Sequence, residues 1–163
     1  MGDATSPPTG DDPSVEPGWD FFVSYAAADR RWAEWIAWIL EEDGYLVLVQ
    51  AWDFVPGTVW VGRMQDGIVG AARTIAVVSD DYLRSVYGSA EWQAAWAADP
   101  IGQQRKLLTV RITDCPRPGL LGTIVGVNLF EHSETAARDE LRSMVTAALS
   151  GRAKPRSAPP FPG

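Results

Sequence analysis

Short apolar runs alternate with helix-like segments along most of this chain, and this alternation constrains the fold more than any other feature. Each run is nearly continuous in aliphatic and aromatic residues, as is typical of parallel strands buried on both faces. Between the runs, apolar residues recur at intervals of three and four, as on one face of a helix. The predicted strands cover residues 20–25, 45–50, 74–79, 107–112 and 124–130.

Strand–helix alternation favours right-handed crossovers and a parallel sheet covered by helices on both faces. The predicted fold class is therefore α/β, a flavodoxin-like three-layer sandwich around a five-stranded, mostly parallel sheet. A chain of 163 residues suffices for one such domain with a substantial core.

Capping residues mark the ends of the first and last predicted helices. Asp29 is expected to N-cap the first helix, which Gly44 ends, and the last helix is expected to run from near Ser133 to Gly151. Its predicted core face is Ala137, Leu141, Met144, Val145, Ala148 and Leu149. A weaker helix is predicted over 61–73, and a loop over 51–60. A helical stretch over 81–99 is expected to be interrupted at Gly88 and to stop before Pro100. Four tryptophans at helical positions are expected in the core: Trp32, Trp35, Trp38 and Trp96.

The two ends of the chain differ in composition from its middle. Residues 1–18 and 151–163 are rich in Pro, Gly and Ser and poor in large aliphatic side chains, so they are expected to be disordered. The domain is predicted over residues 19–150. The C-terminal segment, with its spaced prolines, is also typical of an extended interdomain linker.

Charge and cysteine content exclude several classes of protein. The formal net charge is −7 and no basic stripe is present, which argues against binding nucleic acid or an anionic membrane. The N-terminal segment lacks the basic and apolar parts of a signal peptide. One cysteine, Cys115, and one histidine, His132, exclude a usual zinc site and indicate a reducing compartment. We therefore expect a cytoplasmic protein with no metal.

Several catalytic motifs are absent. The chain has neither the glycine pattern of a dinucleotide-binding turn nor that of a phosphate-binding P-loop, and Gly88-Ser89 lacks the second glycine of a nucleophile elbow. Ligands of parallel sheets instead bind outside the carboxyl ends of the strands. This rule predicts a binding crevice among residues 24–28, 51–57 and 79–82.

Three segments of the chain resemble the boxes of the Toll/interleukin-1 receptor (TIR) domain family, bacterial members in particular. Asp20–Tyr25 is similar to the family's first strand, and Asp53–Gly57 to its mobile loop with a Pro-Gly turn. Ser79, together with the segment Tyr82–Glu91, resembles the Ser-x-Trp-x-x-x-Glu helix. Here Tyr87 replaces the tryptophan and Gly88 replaces the cysteine that often follows it.

The resemblance implies cleavage of the nicotinamide–ribose bond of NAD⁺, with NAD⁺ as a substrate and no separate cofactor. Glu91 matches the family's catalytic glutamate; the alternative is a helix glutamate that only favours the helix dipole. Tyr87 shares a helix face with Glu91 and either lines the same pocket or packs on the sheet. Trp52 either stacks on a ring of the substrate or anchors its loop to the core.

Tyr25 and Ala26 stand where the family's substrate approaches the first strand. Several enzymatic relatives carry a basic residue at the position of Ala26, and its absence weakens the catalytic interpretation. The resemblance also implies self-association with other TIR domains through the loop residues Asp53, Phe54, Pro56 and Gly57. Two functions stay open: an NAD⁺ glycohydrolase activated by self-association, in signalling or defence, and a non-catalytic interaction module.

Overall fold

The computed structural model describes residues 18–59, 69–85 and 104–163, together with Gly62, Gly67, Gln93, residues 97–99 and Gly102. The predictions for residues 1–17, Tyr87, Gly88, Glu91 and Trp96 lie outside the described residues.

Strands and helices alternate along the described part of the chain. The strands are β1 (Phe21–Ser24), β2 (Val47–Val49), β3 (Arg73–Val78), β4 (Leu107–Arg111) and β5 (Val127–Asn128). The helices are α1 (Arg30–Glu42), α2 (Gln50–Asp53), α3 (Asp80–Arg84) and α4 (Glu134–Ser150), with 3₁₀ turns at Ala27–Asp29 and Gly119–Thr123.

The strands form one sheet in the order β2-β1-β3-β4-β5, and each neighbouring pair is parallel. The predicted α/β class and five-stranded sheet are therefore confirmed. Strand β1 pairs with β2 on one side and with β3 on the other, so the direction in which successive strands are added to the sheet reverses at β1. In doubly wound sheets, the crevice outside such a reversal is where ligands bind.

The larger part of the core lies between the sheet and the helices α1 and α4. Phe21 and Val23 of β1 point to this face, where they pack with Ile36 and Leu40 of α1 and with Leu141 of α4. Arg142 Nε, in the middle of α4, donates to Asp43 Oδ2 at 2.9 Å, which ties α4 to the end of α1. Burial of alternate strand residues on this face follows from the two-residue period of a strand.

The opposite face of the sheet is also covered. Phe22 and Leu48 are fully buried there, against helical residue Gly67. A Cβ atom at Gly67 would lie 2.7 Å from Leu48 Cδ2 and 2.9 Å from Phe22 Cδ2. A second apolar cluster on the chain contains Ala76, Val78, Tyr82, Leu107 and Cys115. Helices on both faces agree with the predicted three layers.

Several predicted boundaries are wrong. The second strand is limited to Val47–Val49, because the Asp53 carboxylate accepts the Val49 N–H at 2.7 Å and closes the turn of α2 within the predicted loop. Arg73 belongs to β3 and not to the preceding helix. The fifth strand is only Val127–Asn128.

Two apolar side chains predicted in the core are exposed. Trp32 and Trp35 are half-buried and meet edge to face, with ring centroids 5.7 Å apart, whereas Trp38 is 61% exposed. Trp38 follows buried Ala37, and one residue step turns the side chain by about 100° away from the core. Leu149, at the end of α4, is likewise 42% exposed.

The caps of α4 are confirmed, and so is Gly44 at the end of α1, with φ of 91°, whereas the predicted N-cap of α1 is not. Ser133 Oγ accepts the Ala136 N–H at 3.2 Å, and Gly151 ends the helix with φ of 77°. Asp29 precedes α1 but makes no side-chain cap hydrogen bond. Its carboxylate binds elsewhere.

Candidate functional site

Three loops meet at the carboxyl edge of the sheet. The parallel register pairs Ser24 of β1 with Ala76 of β3, and Val23 with Val49 of β2, so the three strands end side by side. The residues that follow them, 25–29, 50–57 and 79–85, therefore surround the reversal in strand order. They largely coincide with the segments predicted to border a binding crevice, residues 24–28, 51–57 and 79–82.

A buried carboxyl group lies at the centre of this edge. Asp29 is 9% exposed, and its Oδ2 accepts a hydrogen bond from Ser79 Oγ. Burial raises the pKa of Asp29 above its usual value; the Ser79 hydrogen bond lowers it, and the Asp81 carboxylate raises it further. Loss of solvation outweighs the single neutral donor, so the charged form is disfavoured.

The Ser79 hydroxyl, at the end of β3, makes two hydrogen bonds. Its Oγ donates to Asp29 and also accepts the Tyr82 N–H at 3.0 Å, which caps α3. Asp80 and Asp81 lie in the first turn of this helix. There, their negative charges interact favourably with the helix dipole.

A second hydrogen bond joins the same two segments. Ser24 Oγ lies 2.9 Å from the Tyr82 hydroxyl, and both residues are at most 1% exposed. The pairing of Ser24 with Tyr82 and of Asp29 with Ser79 was not predicted from the sequence. The available signal was their position, because polar residues that end adjacent parallel strands meet at one edge.

Trp52 is anchored to the body of the domain. Its Nε1 donates to Glu34 Oε1 at 3.2 Å, and the half-buried ring packs on the main core. Glu34 also accepts from Arg30 Nη2 at 3.3 Å. Of the two roles considered for Trp52, the structure supports the anchor, and the hydrogen bond fixes the orientation of its ring.

The Pro-Gly turn that follows α2 is exposed. Pro56 and Gly57 are exposed, with φ of 94° at Gly57, while Phe54 is half-buried. Two valines flank the turn with large exposed fractions, 58% for Val55 and 78% for Val59. An exposed apolar loop tip is a feature of contact surfaces.

The first-strand residues are more enclosed than the sequence suggested. Tyr25 is half-buried and packs on the main core, and Ala26 is 7% exposed and packs in the second cluster with Tyr82. The Ala26 carbonyl accepts the Asp29 N–H at 2.8 Å. Tyr25, Ala26, Trp52 and the Asp53–Gly57 loop thus all follow strands that end at the carboxyl edge, while Tyr87 and Glu91 lie outside the described residues.

Two other features of the described residues bear on the site. A cavity of about 640 Å³ lies at the opposite edge, where Leu107 begins β4 beside Ala148 of α4, and it does not coincide with the three loops at the carboxyl edge. Among the described residues, no three His, Cys, Asp or Glu side chains could hold a metal ion, and no helix has the length and apolar character to cross a bilayer.

The comparisons with known proteins agree on the fold. Among solved structures, the chain is similar to the TIR domain of the Toll-related receptor TRR-2 from Hydra magnipapillata, with a TM-score of 0.63 and 22% identity over 80% of this chain and 98% of that one. It is also similar to a metazoan TIR-STING receptor from C. gigas, with a TM-score of 0.62 and 22% identity. That match covers 85% of this chain and 43% of the receptor. No curated protein matches.

The family model described as TIR domain matches residues 21–142, which is well over half of the chain and includes every loop of the crevice. The chain belongs to the TIR domain family.

Proposed function

We propose that this TIR domain is an NAD⁺ glycohydrolase, activated by self-association, that acts in signalling or defence. The proposal depends mainly on where α3 begins. This helix starts at the carboxyl edge directly after β3, beside the loop that follows β1. The chain that continues from α3 carries Glu91, seven residues after Arg84. Members of the family hydrolyse NAD⁺ with a glutamate at this position of the motif.

The reaction needs little acid–base chemistry from the protein. Water adds to the anomeric carbon of the ribose as the bond to nicotinamide breaks, giving ADP-ribose, nicotinamide and a proton. The nicotinamide nitrogen is already cationic in NAD⁺, so it leaves as a neutral molecule without a general acid. A single carboxylate beside the ribose stabilises the oxocarbenium-like transition state. We assign this role to Glu91.

The remaining substrate contacts in the proposal come from the first two loops. The Trp52 ring, held through Nε1 by Glu34, offers a fixed aromatic face for a base of the dinucleotide. Tyr25 and Ala26 border the ribose side through their backbone. Because Ala26 is small and buried, this edge lacks the cation that several enzymatic relatives have there.

Self-association belongs to the proposal through the Pro-Gly loop. TIR domains generally interact with other TIR domains, and here exposed Val55 and Val59 flank the turn at Pro56 and Gly57. Burial of such valines on a neighbouring copy removes apolar surface from water. The proposed partners are therefore NAD⁺ and a second TIR domain.

The test is NAD⁺ turnover by concentrated or artificially oligomerised protein, with nicotinamide release followed by chromatography. Glu91→Gln keeps the shape of the side chain and removes its charge, so turnover should fall by at least 100-fold, about the effect of losing one transition-state contact. The control is Glu140→Gln, an exposed glutamate of α4, which should keep full activity. Equal turnover by the Glu91 variant would overturn the catalytic assignment.

The alternative function is a non-catalytic interaction module, favoured by the enclosed Ala26. Both functions need the loop, so Pro56→Ala or Gly57→Ala should weaken association in either case. The two differ in chemistry: a module that assembles and releases no nicotinamide would leave only the interaction function.

A further inference from the structure

Two side-chain hydrogen bonds join β1 and its following turn to β3 and α3. One links the hydroxyls of Ser24 and Tyr82 at 2.9 Å, and the other runs from Ser79 Oγ to Asp29 Oδ2. The partners are 58 and 50 residues apart in sequence, and all four residues are buried. These contacts therefore fix how two distant segments meet at the crevice.

The Asp29 contact also determines the direction in which the Ser79 hydroxyl points. A serine hydroxyl has one proton, and a carboxylate can only accept. Donation to Asp29 therefore leaves the lone pairs of Ser79 Oγ for the Tyr82 N–H, which it accepts at 3.0 Å. In this way Asp29 orients the hydroxyl that caps α3.

Asp29 does not stabilise the start of α1 by capping it, although it directly precedes that helix. It precedes α1 without capping it, and burial raises its pKa, so its charge is held at a cost. A buried, costly acid that serves a distant helix is typical of a residue kept for function rather than for stability.

We propose that Asp29 is a positioning residue of the crevice, which acts through Ser79 to fix the start and direction of α3. Its catalytic consequence rests on the proposed function, because Glu91 follows α3 in the chain. Asp29 itself need not touch the substrate. Asp29 contributes one hydrogen-bond acceptor for the Ser79 hydroxyl. The carbonyl oxygen of asparagine can accept the same proton, so asparagine should be able to take the place of Asp29.

The kinetic test compares Asp29→Ala, Ser79→Ala, the double variant and Asp29→Asn in the assembled domain. Each alanine should lower kcat for NAD⁺ about tenfold or more, since small displacements of a catalytic group have large effects, and KM should change less than twofold. The double variant should be no slower than either single one, and Asp29→Asn should keep most of the activity. The control is Asp80→Ala, an exposed acid in the first turn of α3.

Losses that add in the double variant would overturn the proposal, because they would mean that Asp29 and Ser79 act separately. An inactive Asp29→Asn with its fold intact would also overturn it, since the charge and not the acceptor would then matter.

A second measurement separates this inference from the proposed function. Hydrogen exchange should show Tyr82 and Leu83, whose amides bond Ser79, exchanging about tenfold faster in Asp29→Ala than in wild type. The amide of Val77, inside β3, should change much less. If wild type releases no nicotinamide, the proposed function fails, and this selective change still supports the positioning role. Unchanged protection at Tyr82 and Leu83 would overturn it.

Discussion

Buried polar side chains near the carboxyl edge of the sheet form hydrogen bonds with partners that are far away in the chain. Asp29 is the main example, because an aspartate before a helix is expected to cap that helix. Instead its carboxylate accepts from Ser79, and burial raises its pKa. The sequence could place Asp29 near the crevice but could not choose its partner, since that partner is 50 residues away.

The raised pKa of Asp29 has a consequence for stability. Since the pKa is higher in the folded than in the unfolded state, folding takes up protons between the two values, and the contribution of Asp29 to stability falls as the pH rises through that window. Asp29→Asn removes this penalty. The variant should gain in Tm relative to wild type at pH 7, and the difference should shrink or reverse near pH 4.

Thermal unfolding of both proteins across this pH range measures the effect. A difference that moves in the opposite direction, with wild type gaining on the variant as the pH rises, would mean that the ionised carboxylate is stabilised by its surroundings.

A second prediction concerns the hydrogen bond of the Trp52 indole. Trp52→Phe keeps an aromatic ring but loses the N–H that Glu34 accepts at 3.2 Å. Because Glu34 is partly exposed, the loss should be about 1 kcal/mol in the free energy of unfolding. Urea denaturation of the single and double variants with Glu34→Gln should show coupling between the two positions. Independent, additive effects would contradict the hydrogen bond.

Among the helices and strands, close packing against the sheet limits which residues a helix can carry on its buried face. Gly67 and Gly70 are both helical and belong to the segment 61–73, which was predicted as a weak helix because of its glycines. The structure separates their roles: a Cβ at Gly67 would meet buried Leu48 and Phe22, whereas a Cβ at Gly70 would meet open space. One glycine permits close approach to the sheet and the other does not serve that purpose.

Alanine substitution at these two glycines should therefore have opposite effects. Gly67→Ala adds a methyl group among fully buried side chains and should destabilise the domain by about 1–3 kcal/mol. Gly70→Ala should be neutral or stabilising by up to about 1 kcal/mol, since alanine favours a helix. Denaturant unfolding measures both, and similar effects at the two sites would contradict the packing of this helix on Phe22 and Leu48.

At the scale of the whole molecule, charge and exposed apolar surface act against each other in self-association. Each copy carries a formal charge of −7, so two copies repel at low salt. The proposed contact, by contrast, contains exposed valines at Val55 and Val59 on either side of the Pro-Gly turn. Screening weakens the repulsion, while the attraction between apolar groups persists.

Self-association should therefore strengthen when ionic strength rises from about 0.02 to 0.5 M, where the Debye length falls well below about 10 Å. Val55→Asp should reduce it at every salt concentration, and Val125→Asp, equally apolar and 94% exposed but away from the loop, is the matched control. Sedimentation velocity measures both. Association that weakens with salt would point to a charged interface instead.

Local sequence pattern was sufficient to predict the class of fold and which strand ends lie together at one edge of the sheet. Both depend on local periodicity and on strand ends, which are written in neighbouring residues such as Phe21–Ser24 and Arg73–Val78. The ends of α4 were equally readable, because Ser133 and Gly151 act within one turn of the helix.

Which side chains pair and which are exposed depends on tertiary packing, and could not be predicted from the sequence. The hydrogen bonds of Asp29 with Ser79, of Ser24 with Tyr82 and of Trp52 with Glu34 join different elements, and the exposure of Trp38 depends on how α1 rests on the sheet. The physical reason is range: caps and periodicity arise within a few residues of the chain, whereas these contacts form only when strand order and helix packing bring distant segments to one edge.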